Sequence, residues 1–79
     1  MVDAKDLLEL VTKGLVDRPD AVEVTEVEEG DELVLEIRVD PEDVGKVVGK
    51  EGRTVRALRT IMDAAGRKFD RRFRVEVIE

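Results

Sequence analysis

Apolar residues recur along this chain at two distinct spacings. Leu7, Leu8, Val11 and Leu15 repeat at helical spacing and predict a first helix with one buried stripe. Asp3 is placed to cap it, Asp6 falls at the third helical position, and Val2 with Leu7 can form a hydrophobic staple. Gly14 weakens the last turns and Pro19 stops the helix. A first strand is expected over Ala21 to Glu28, where the alternation of Val22 and Val24 slips by one residue to Val27, the signature of a bulge or a frayed end. Glu29-Gly30-Asp31 reads as a turn. The clearest strand follows. Leu33, Leu35, Ile37 and Val39 point one way and Glu36 and Arg38 the other, with Val34 the one apolar residue on the outer face.

A second helix opens at Asp40-Pro41-Glu42-Asp43. Asp40 is a good cap, Pro41 fits the first helical position, and the two acids suit the positive end of the helix dipole. It is short, because Gly45 and Gly49 flank Lys46-Val47-Val48. A third helix is expected from Arg53 to Ala65, with Val55, Leu58, Ile61, Met62 and Ala65 on one side, Arg53, Arg56 and Arg59 on the other, and Gly66 as its C-cap. A loop rich in Arg and Lys then leads to a last strand, Arg72 to Ile78. The order is αββααβ. Three strands with one apolar face need a covering layer, and three amphipathic helices supply it. The expected fold class is α+β, a two-layer sandwich with a three-stranded sheet and all three helices on one face, and residues 1–79 form one domain.

Composition narrows the chemistry. Cys, His, Ser, Tyr, Trp, Asn and Gln are all absent, which removes disulfides, thiolate sites, the commonest metal ligand and any Ser- or Cys-based triad. No enzyme activity, metal or cofactor is expected. The longest aliphatic run is Leu33-Val34-Leu35, far too short to span a bilayer, and the N-terminus lacks a secretory pattern, so a cytoplasmic protein with no membrane or small-molecule partner is expected. The net charge of −6 conceals an asymmetry. Residues 1–44 hold fifteen acidic and four basic side chains, whereas residues 45–79 hold five acidic and ten basic ones. Because exposed charges are screened within about 10 Å, the local basic footprint decides what the second half attracts.

One sequence signature carries chemistry. Gly49-Lys50-Glu51-Gly52 places two glycines three residues apart at the start of a helix, where backbone N–H groups and the positive dipole end favour phosphate oxygens. A Walker A loop does not fit, since Gly45 and Gly49 are too closely spaced and Glu51 follows Lys50. A dinucleotide fingerprint does not fit either, because residue 47 is Val and a helix precedes the loop.

Val47-Val48-Gly49-Lys50-Glu51-Gly52-Arg53 resembles the Gly-x-x-Gly core of the KH family, and the order αββααβ resembles its type II arrangement. From Gly45 through Ile61, with Ala64-Ala65, the closing Arg74-Val75-Glu76-Val77, Asp17-Arg18-Pro19 and Pro41-Glu42-Asp43, the chain is similar to the small bacterial single-KH-domain proteins of the KhpA type. That resemblance implies single-stranded RNA binding, as an RNA chaperone or post-transcriptional regulator. It implies that Gly49 and Gly52 permit close approach of the sugar-phosphate backbone, that Lys50 supplies phosphate charge, and that Lys46, Arg53 and Arg56 line the rim. Glu51 is an awkward acidic neighbour in this set. Val48, with Val44, Val55, Ile37 and Val39, is a candidate for an apolar groove under the bases. The resemblance also implies a homodimer, or a heterodimer with another KH-containing protein of the KhpB type.

Each feature also has a plainer reading. The glycines can serve a turn between packed helices, and the arginine stripe, Arg59 above all, can be a solvated face. Only Phe69 and Phe73 are aromatic, which argues against RNA folds that stack bases on surface aromatics. Two other function classes compete with RNA binding: a helix-turn-helix-like module preferring duplex DNA, and a protein-interaction or dimerisation adaptor.

Overall fold

The computed structural model describes residues 3–79, so the anticipated staple contact of Val2 lies outside the described residues. The elements are α1 (Ala4–Lys13), β1 (Glu23–Glu29), β2 (Glu32–Arg38), α2 (Val44–Val48), α3 (Arg53–Phe69) and β3 (Arg72–Val77), with single 3₁₀ turns at Pro19–Ala21, Pro41–Asp43 and Lys50–Gly52. The sheet order is β1-β2-β3. β2 is central, antiparallel to β1 and parallel to β3. The parallel pair requires a crossover, and α2 and α3 provide it. The result is the expected α+β arrangement, a mixed three-stranded sheet covered by helices in the αββααβ order of a type II KH fold.

Local chemistry explains the element boundaries. Asp3 caps α1, its Oδ1 accepting the Asp6 N–H at 2.8 Å. Asp40 does the same at the Pro41 turn, accepting the Glu42 N–H at 2.9 Å. Period-two alternation then divides the sheet. Val24, Leu33, Leu35, Ile37, Phe73 and Val75 face inward onto Leu8, Val47, Leu58 and Met62. On the outer face Val34 is nonetheless fully buried. Arg74, its register partner on β3, reaches from beside it to Glu29 at 3.3 Å and Glu32 at 3.9 Å. Long arginine stems cover apolar surface in this way while keeping the charge in water.

Four expectations need correction. β1 begins at Glu23 and runs to Glu29 in unbroken register with β2, so there is no bulge; Val27 simply faces outward opposite Val34. α3 continues past Ala65 to Phe69 and is closed by Asp70, a residue type that tolerates its left-handed conformation (φ +55°). Gly66 is therefore not the cap. It is buried within the helix, where a Cβ would strike the carbonyl oxygen of Arg71 as the chain returns into β3. Arg67 and Lys68 accordingly belong to the last helical turn and not to a loop. Leu15 and Ile61, expected in apolar stripes, are both exposed: α1 ends at Lys13, so Leu15 falls beyond the helix, and Ile61, at 43%, lies outside the side of α3 that buries Val55, Leu58 and Met62.

Leu35 and Ile37 are fully buried in the central strand. Replacing either with Ala is expected to cost about 2–5 kcal/mol, a large part of the stability of a chain this small, as read from chemical denaturation midpoints.

Candidate nucleic-acid interface

α2 has only five residues and ends at Gly49. The loop that follows is built from left-handed backbone. Gly49 has φ +78°, Glu51 +56° and Gly52 +74°. At Gly49 the absence of a side chain is required twice. The positive φ disfavours one, and a Cβ would lie 2.8 Å from the Thr54 backbone nitrogen and press on its hydroxyl. The first turn of α3 thus packs directly onto the loop. Gly52 closes it, donating its N–H to the Gly49 carbonyl at 3.1 Å. Lys50 and Glu51 are left exposed at the tip. Glu51 occupies a conformation that costs an L-residue about 1–2 kcal/mol, a strain held in place by the helices on both sides. The sequence pattern pointed to the two glycines and missed the strained glutamate between them.

The candidate cations fall into two groups. Among the described residues Lys50 and Arg56 enter no ion pair, and both are exposed. The other three are engaged. Arg53 lies 3.7 Å from Glu51. Lys46 lies 3.2 Å from Asp17 and 3.4 Å from Asp43. Arg59 donates from Nε to the Val75 carbonyl of β3 at 3.4 Å, turned toward the sheet edge. Of the groove candidates, Ile37 is fully buried beneath the helices and Val55 nearly so, and neither presents a surface to a ligand. Val39, Val44 and Val48 remain half-buried. Phe73 belongs to the core, and half-exposed Phe69 meets it edge-to-face at 6.3 Å.

Sequence reasoning missed the clasp that fixes α2. Asp43 is 2% exposed, at the turn where α2 begins. Its Oδ2 accepts the Arg18 N–H at 3.0 Å, across 25 residues of sequence. The Arg18 guanidinium returns to Asp40 at 3.0 Å and to Glu42 at 3.5 Å. Burial pushes the Asp43 pKa up, but N–H groups of Arg18 and Asp17 and the Lys46 ammonium outweigh it and hold the carboxyl below the ordinary aspartate value. Lys46 is shifted upward, first by its hydrogen bond to Asp17 and then by that to Asp43. No local motif announces this contact, because its partners lie far apart in sequence.

The two faces of the sandwich differ in charge. By strand alternation the outer sheet face carries Glu23, Glu29, Glu32, Glu36 and Glu76 against Arg38, Arg72 and Arg74. That face repels a polyanion. The loop, the start of α3 and the exposed side of α2 form the surface that carries Lys50 and Arg56, the candidate cations without an ion pair among the described residues.

The chain is similar to known proteins along nearly its whole length. The family model for the KhpA/KhpB KH domain matches residues 5–77. The chain is 53% identical over 75 residues to a protein of Aquifex aeolicus named RNA-binding protein KhpA, covering 95% of each chain. It is 50% identical to the protein of the same name from Clostridium acetobutylicum, covering 94% of this chain and 99% of that one. Among solved structures, Era of Aquifex aeolicus aligns with a TM-score of 0.66 over 94% of this chain and 29% of its own length. At 17% identity that likeness speaks to the fold alone.

The lowered pKa of Asp43 fixes the sign of a pH dependence. Its stabilising contribution is complete above the ordinary aspartate pKa and is lost as the pH falls through the lowered folded value. Asp43→Asn is expected to be less stable than the parent at neutral pH, with the gap closing in acid. Denaturation midpoints along a pH series check this.

Proposed function

The chain belongs to the KhpA/KhpB family of KH domains, and on that premise we propose that it binds single-stranded RNA, with the Gly49–Gly52 loop clamping the sugar-phosphate backbone. The observation that carries this reading is the loop itself. Its left-handed backbone turns the chain tightly from α2 into α3 at two glycines that carry no side chain, and it leaves Lys50 exposed at the tip without an ion pair among the described residues. Lys50, Arg53 and Arg56 contact phosphates, and half-buried Val44 and Val48 offer an apolar shoulder for bases. Lys46 is a rim residue whose charge is already engaged. With no exposed Tyr or Trp for stacking, affinity rests on backbone contacts and sequence preference is modest. The role in the cell is that of a cytoplasmic RNA chaperone or post-transcriptional regulator built from this single KH domain, without catalysis of its own. A helix-turn-helix mode is disfavoured by the five-residue α2, too short to brace a recognition helix across duplex DNA.

Titration with single-stranded RNA at two salt concentrations tests the reading. About three phosphates are neutralised, so log affinity should fall against log salt with a slope of about −2. Lys50→Asp places a second carboxylate beside Glu51 while leaving the core and caps intact, and binding should be lost with the circular dichroism spectrum unchanged. A folded Lys50→Asp protein that binds as the parent does would remove the loop from the site. A consistent preference for duplex DNA would restore the helix-turn-helix alternative.

One site clamping about four nucleotides has limited affinity, and pairing two sites raises it through effective concentration. We infer that the chain works as a homodimer or joined to a second KH-containing protein of the KhpB type. Sedimentation at high protein concentration, with and without such a protein, should reveal the larger species. Monomers under both conditions would refute the pairing.

A further inference from the structure

The loop's surroundings are nearly neutral in charge. Glu51 sits against Arg53 on one side, and Asp17 and Asp43 sit against Lys46 on the other. The two carboxylates on Lys46 are not equivalent. Asp43 is buried and holds the Arg18 N–H, so it cannot change partners. The Asp17 side chain is 76% exposed, lies in the connection after α1, and has no side-chain partner among the described residues except Lys46. Lys46 is itself 44% exposed and lies one helical turn ahead of Gly49.

We propose that Asp17 is an affinity-setting residue of the nucleic-acid site. Its carboxylate holds Lys46 as an internal stand-in for phosphate, so that RNA must displace it before Lys46 can join the clamp. This inference rests on the RNA-binding reading of the loop and assigns a residue 32 positions upstream of Gly49 to the same site. An exposed ion pair is weak enough for a phosphate to replace it. The exchange trades one oxyanion for another and yields little net gain, so Lys46 adds little to binding in the parent protein. Without the Asp17 charge, Lys46 keeps only Asp43 and has donors free for a phosphate. Arg18, with Asp40 and Glu42, completes the charged surroundings and is unchanged by the substitution.

The test uses the full chain and a short single-stranded oligouridylate, titrated at low and moderate salt. Asp17→Asn keeps the side-chain shape and the backbone N–H that faces Asp43, and Asp17→Ala serves as a second variant. Both should bind about threefold more tightly at low salt, with a salt slope steeper by about 0.7, the increment for one added single-strand phosphate contact. Measured against Lys46→Met as its own reference, adding Asp17→Asn should produce no gain. The inference is overturned if neither Asp17 variant tightens binding, or if the tightening persists in the Lys46→Met background, where it would reflect a general field. Its failure is separable from that of the loop reading, because binding that responds to Lys50→Asp and not to Asp17→Asn defeats this inference alone.

Discussion

A five-residue helix cannot sustain itself, and the element that delivers the glycine loop is such a helix. α2 is held from outside at both ends. At its start the buried Asp43 carboxylate takes the Arg18 N–H from the connection after α1. At its end Gly49 lets the first turn of α3 approach so closely that a methyl group would not fit. Along its length Val47 is fully buried against the common core. The position of the loop is therefore a tertiary property, set by residues 17–18, 43 and 54 together, more than a property of the Gly-x-x-Gly sequence.

The same economy governs charge. A strongly acidic chain keeps a usable basic surface by sorting its charges between faces. Glutamates dominate the outer sheet face, where Arg74 ties Glu29, Glu32 and Glu76 together, while Lys50 and Arg56 on the helical side have no ion pair among the described residues. Because screening is short-ranged, the acidic sheet face does not cancel the basic helical one. Carboxylates placed directly beside cations do cancel, and Lys46 and Arg53 both have them. A phosphate near the loop meets far less charge than a count of lysines and arginines suggests.

Much of this fold is legible in the sequence, and the reasons are local. The Asp3 and Asp40 caps, the Pro41 turn and the alternation of Leu33, Leu35 and Ile37 are written in residues a few positions apart. The misreadings share one cause. Gly66 has the look of a helix end because glycine so often caps, yet its place is dictated by the Arg71 carbonyl passing alongside. Ile61 completes a helical stripe on paper, but a 79-residue chain has too small a core to cover the whole stripe. Val27 mimics a bulge because an apolar residue on a polar face is indistinguishable from a register slip until its partner, Val34, is known. The glycine loop was found for the opposite reason, since its chemistry lies in four adjacent residues.

The loop's strain and its neutralised neighbours have a common consequence. Glu51 is held left-handed by the helices flanking it, so the loop is formed before any ligand arrives. Preorganisation of this kind avoids the ordering cost that a flexible loop meets on binding. It raises affinity without adding contacts, whereas the carboxylates beside Lys46 and Arg53 lower it without removing any. If the loop is the phosphate clamp proposed above, its few unengaged cations limit capture by duplex nucleic acid, which depends chiefly on cation count.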